Sequence, residues 1–109
     1  MSRYFVRPAD CPRHDLSPGV AIHTMAGRQM MMSVVDFEPN AVVERHSHPH
    51  EQIGILLSGQ LDFTIGDEQS MLATGAMWRI PGGTPHCVVA GPAGARAIDI
   101  FHPVREDYQ

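Results

Sequence analysis

The chain has 109 residues and a formal charge of −4, with eight Arg, no Lys, seven His and two Cys. That length fits one domain with one core; Arg residues scattered from Arg3 to Arg105 argue against nucleic acid as a partner, and the missing Lys excludes Schiff-base, pyridoxal-phosphate and P-loop lysine chemistry. Cys11 and Cys87 are too few for a disulfide scaffold, and neither a signal-peptide core before Pro8 nor a membrane-length apolar run is present, so a cytoplasmic protein with reduced thiols and no membrane partner is expected.

Residues 1–18, interrupted by Pro8, Pro12 and Pro18, read as an irregular N-terminal arm that packs on the fold or on a partner subunit, leaving 19–109 for the folded body. Short apolar runs follow, most alternating with period two, and they predict strands over 20–24, 29–37, 41–46, 53–58, 60–65, 70–73, 76–80, 86–90 and 95–101. Turn signals lie between them, among them Glu38-Pro39-Asn40, Ser58-Gly59, Pro81-Gly82-Gly83 and Gly91-Pro92-Ala93-Gly94. Many short, evenly spaced strands indicate an all-β sandwich or barrel. Met30-Met31-Met32 continues into strand, so alternate methionines are expected to be buried as core. Trp78 reads as a core or dimer-interface aromatic rather than a sugar platform, and Cys87 as a buried structural thiol pointing away from His86.

The chemistry concentrates in residues 46–52, His-Ser-His-Pro-His-Glu-Gln. In extended backbone, side chains two apart share a face, so His46 and His48 present two imidazoles to one point, as divalent Zn, Ni, Cu, Mn or Fe prefers. Two ligands do not complete a site. Further candidates are Gln52 or its neighbour Glu51, and His86 just beyond Pro81-Gly82-Gly83-Thr84-Pro85. His50 follows Pro49 and reads as solvent-facing or as a support behind the ligands, while His14, His23 and His102 have no motif.

These spacings resemble the cupin family. Its first motif, Gly, five residues, His-x-His, three or four residues, Glu, six residues and Gly, is matched by Asn40, His46, His48, Gln52 and Gly59. Its second, Gly, five residues, Pro-x-Gly, two residues, His, three residues and Asn, is matched by Gly75, Pro81, Gly83 and His86, with Ala90 at the Asn position. The resemblance implies a single-domain double-stranded β-helix, that is, a jelly-roll barrel, with one divalent transition metal ion on His46, His48, Gln52 and His86. Asn40 replaces a turn Gly mildly, since Asn tolerates left-handed backbone. Gln52 in place of Glu leaves the metal one charge more positive, a stronger Lewis acid toward a bound oxygen; Glu51 would restore the charge but falls one residue short of the spacing.

In 95–101, Ala95, Ala97, Asp99 and Phe101 share one face and Arg96, Ile98 and Ile100 the other. If Ile98 and Ile100 face the sheet-sheet interface or a neighbouring subunit, Asp99 lines the same barrel mouth as the metal, where an acid can serve as general base or acid. The tail from Ile98 to Tyr108 is similar to the closing segment of the KdgF type of small cupin, which also carries Gln at the fourth ligand position. That resemblance implies opening of 4,5-unsaturated uronate monosaccharides, products of pectin or alginate lyases, to the linear 4-deoxy-5-keto sugar acid. It assigns catalysis to Asp99, Phe101 and Arg105, and His102 departs from the small polar residue expected at its position. A cupin dioxygenase acting on another small molecule and a non-catalytic sugar- or metal-binding cupin are the competing expectations; small cupins also commonly pair as homodimers.

Overall fold

A computed structural model describes residues 2–109. Among these, eight strands run in chain order: β1 Arg13–Ser17, β2 Val20–Ala26, β3 Met31–Phe37, β4 Val42–His46, β5 Glu51–Ile65, β6 Glu68–Leu72, β7 Met77–Ile80 and β8 His86–His102. Single 3-10 turns lie at Pro8–Asp10 and Glu106–Tyr108. No helix of the described residues is long and apolar enough to cross a membrane.

All pairings are antiparallel, and the two long strands belong to two sheets at once. The C-terminal half of β8 lies between β3 and the first half of β5, extending the order to β1-β2-β3-β8-β5-β7. The N-terminal half of β8 lies between β4 and the second half of β5, which carries β6 on its far edge. Inward residues of the first sheet (Val20, Ile22, Val35, Leu56, Ala97, Phe101) and of the second (Val43, Leu61, Phe63, Val88, Ala90) form one buried cluster. This is an all-β jelly roll in one domain. Period-two burial along β2 and β3 follows the sequence, and Met31 is buried while Met30 and Met32 are exposed.

Two sequence expectations are corrected. The runs 53–58 and 60–65 are one strand, as are 86–90 and 95–101, because the turn residues between them bend the chain without ending it. Ladder register shifts on both sides of residue 58, and Gly59 (φ 84°) lies so close to the Gly94 carbonyl that any Cβ there would collide with it. The arm expected to be irregular over 1–18 holds strand β1 at its end, where Leu16 packs on the core and the ladder to β2 covers an edge that would otherwise be unpaired. Asn40 is left-handed at φ 62°, in keeping with its turn position.

Candidate metal centre and its cavity

His46 closes β4 and His86 opens β8, and the two are directly paired in the ladder. His48 stands beyond the end of β4, not on the extended strand that the His-x-His spacing suggested, and the chain there is tied back by the Gly83 N–H donating to the His48 carbonyl at 2.8 Å. This bond joins the two histidine-bearing segments. One ring nitrogen from each of His46, His48 and His86 lies within 4.8 Å of the others, which positions the three to hold a metal ion.

Backbone carbonyls orient all three rings. Nδ1 of His46 faces Glu44 O at 2.8 Å, Nδ1 of His48 faces His50 O at 3.0 Å and Nδ1 of His86 faces Thr84 O at 2.9 Å. With the proton on each Nδ1, each Nε2 presents a lone pair, the tautomer a metal requires. His86 Nε2 is buried with no partner among the described residues, and His48 Nε2 faces Gln52 Oε1 at 3.0 Å. Two lone-pair atoms so close are relieved by a shared cation, so the donor set fits a divalent transition metal. Burial, then the neighbouring histidines and Arg105, holds His86 down at about 4, and burial with Arg105 also lowers His48, so both rings stay neutral at pH 7.

Gln52 is buried and Glu51 faces outward, exposed and paired with the exposed His102. The Gln52 amide also lies on the Asp99 side of the cavity, where it favours the charged carboxylate; a carboxylate at this position would repel it instead.

Asp99 belongs to a ladder rung running Thr24, Ser33, Asp99, Gly54, Trp78 across five strands. The Trp78 indole N–H donates to Asp99 Oδ1 at 2.8 Å, reaching across Gly54, where any Cβ would collide with both the indole and the carboxylate. Burial pushes Asp99 up to about 6, against the opposing pull of Gln52, of the Trp78 hydrogen bond and of Arg105. Arg105 is only 8% exposed and is held by Asp107 through Nη2 at 2.8 Å and Nε at 3.3 Å, with its guanidinium 4.0 Å over the Tyr108 ring and 5.2 Å from that of Phe101. Phe101 in turn meets His48 edge-on at 5.7 Å.

His46, Ser33, Gln52, His86, Asp99, Phe101, Arg105 and Tyr108 thus line one cavity of about 50 Å³ that opens to solvent. Of the ligand and catalytic candidates named from the sequence, His46, Gln52, His86, Asp99, Phe101 and Arg105 line it and His48 stands beside it, whereas Glu51 faces outward. His50 supports His48 through its carbonyl. Trp78 is core, stacked at 5.1 Å from Phe63, but its contact with Asp99 was not anticipated; the available signal was that a buried indole N–H needs an acceptor. Tyr108, whose carbonyl accepts from Thr24 Oγ1 at 2.6 Å and lies 2.8 Å from His14 Nε2, and Ser33 were also missed. Cys87 is partly exposed, not buried, because its side alternates with the inward His86 and Val88.

A double-sheet barrel with three convergent histidines at one end defines a class of metal-binding β-barrel proteins. The cupin-domain family profile matches residues 33–101, and the chain belongs to the cupin family. No curated protein sequence matches it. Among solved structures it is similar to an RmlC-like cupin from Shewanella frigidimarina (24% identity, TM-score 0.89, 99% of this chain and 97% of that one). It is also similar to KdgF from Halomonas sp. (28% identity, TM-score 0.86, all of both chains) and to oxalate decarboxylase from Bacillus subtilis (21% identity, TM-score 0.82, 93% of this chain and 30% of that one).

Proposed function

We propose that the protein is a metal-dependent enzyme that opens 4,5-unsaturated uronate monosaccharides to the linear 4-deoxy-5-keto uronate. The observation that carries this reading is the placement of Gln52, whose oxygen faces His48 Nε2 at 3.0 Å, in one cavity with Asp99 and Arg105, so that the general base stands beside the metal end. Similarity to KdgF over both full lengths supports it. His46, His48, His86 and Gln52 would hold the ion, which supplies electrophilic polarisation of a sugar oxygen.

Asp99, ionised above about pH 6, accepts the proton of the anomeric hydroxyl as the bond from C1 to the ring oxygen breaks. C1 becomes the aldehyde and the ring oxygen leaves as an enol oxygen on C5. The proton then goes to C4, the C4–C5 double bond becomes single and C5 becomes a ketone. No electrons are gained or lost overall. Arg105, with three of its five N–H donors uncommitted, clamps the sugar carboxylate, and Phe101 forms an apolar wall beside it. The test is loss of the unsaturated uronate's ultraviolet absorbance with metal-loaded protein. Rates no faster than the spontaneous reaction across several unsaturated uronates would refute the proposal.

The same reading makes the protein a cytoplasmic homodimer. Its support is the outer face of the first sheet, where Met25, Met32, Ile100 and Ile53 form one ladder row and Val34, Ile98, Ile55 and Met77 the next, with Met77 76% exposed. Sedimentation velocity checks it.

A further inference from the structure

Two buried polar side-chain atoms of the cavity lining have no hydrogen-bond partner among the described residues: His86 Nε2 and Ser33 Oγ. The first belongs to the histidine cluster. Ser33 has no such explanation. It is 1% exposed and sits between Thr24 and Asp99 on the polar rung. Its neighbours are committed, Thr24 to the Tyr108 carbonyl and Trp78 to Asp99. Directly opposed residues in an antiparallel pair have Cβ atoms about 5 Å apart, so the Ser33 hydroxyl stands beside the Asp99 carboxyl on the same inward face. Buried hydroxyls are nearly always bonded, and this one faces a cavity where a ligand hydroxyl could reach it.

We propose that Ser33 is a specificity-determining residue whose hydroxyl bonds a hydroxyl of a sugar acid seated between Asp99 and the histidines. This rests on the proposed function for the identity of the ligand. A serine hydroxyl both donates and accepts, which matches a sugar hydroxyl, whereas the sugar carboxylate is matched by the Arg105 charge across the cavity.

The experiment compares wild type with Ser33→Ala, and with Ser33→Cys as a volume control, by kinetics on unsaturated galacturonate and by calorimetric binding of D-galacturonate to metal-loaded protein. For Ser33→Ala, KM and the galacturonate Kd should each rise about tenfold while kcat stays within about threefold. The melting temperature should not fall, because the substitution removes a hydroxyl without a partner. KM and Kd both within twofold of wild type, as when a water satisfies Ser33, overturn the inference and leave the ring-opening reaction standing. If wild type shows no turnover, the ring-opening reading fails and galacturonate binding decides alone: weaker binding by Ser33→Ala supports the contact, and equal or absent binding overturns it.

Discussion

The two ends of the cavity are built by opposite means. At the histidine end the side chains are aimed by backbone: three carbonyls fix three imidazoles, and a backbone N–H ties the segments together. At the Asp99 end the side chains aim one another, through the Trp78 indole on Asp99, the Asp107 carboxylate on Arg105 and the Arg105 guanidinium over the Tyr108 ring, which Phe101 meets edge-on. Geometry held by backbone survives most substitutions nearby, whereas geometry held by side chains fails when any one partner changes. Gln52 and Phe101 each reach both ends, Gln52 from His48 to the Asp99 side and Phe101 from His48 to Arg105.

The widest effect should come from His86→Ala, which removes a buried ring whose Nε2 has no other partner: metal content by elemental analysis and ring-opening rate should both fall to background. Asp99→Asn should separate the ends. Metal should stay bound while the rate drops about 10²- to 10⁴-fold, and loss of metal together with activity would show the ends to be inseparable. In Gln52→Glu the metal should be kept or bound more tightly, but a carboxylate now faces Asp99 and the rate should fall about 10- to 100-fold. Its pH optimum should also move upward, because a like charge favours protonated Asp99.

Acid titration sharpens the contrast further. Activity should fade as pH drops through about 6, where Asp99 takes up its proton, while metal release waits for more acid conditions because His86 is held at about 4. The effect on stability has a definite sign. Folded Asp99 holds its proton to a higher pH than the ordinary 3.8, so its contribution to stability is complete below 3.8 and is lost as pH rises to about 6. Asp99→Asn should therefore be more stable than wild type above pH 6, by about 3 kcal/mol, with the gap closing on acidification; thermal melts at pH 4 and pH 7 check this.

Much of the histidine end was legible in the sequence because its geometry is short-range. His46 and His48 are separated by one residue, each ring is held by a carbonyl two residues away, and the Pro81-Gly82-Gly83 turn precedes His86 at a set spacing. Side-chain parity likewise put Asp99 and Phe101 on one face and Ile98 and Ile100 on the other, the tertiary structure decided which face is inward, and Gln52 was preferred to Glu51 by motif spacing, which the alternation along β5 then matches. Strand ends were less legible. A glycine marks both a turn and a bend, and only the ladder on either side tells which one has formed, as at Gly59 and Gly94.

Left to itself, then, the sequence determined an all-β body, the period-two core and the positions of three histidines and one acid, all of which depend on neighbours a few residues apart. Only tertiary structure decided which of these groups meet. The rung from Thr24 to Trp78 draws on five strands spread over half the chain, and its register depends on ladder pairings that no local pattern encodes. That register is why Gly54 makes room for an indole, why that indole holds Asp99, and why Ser33 stands opposite it on the same rung.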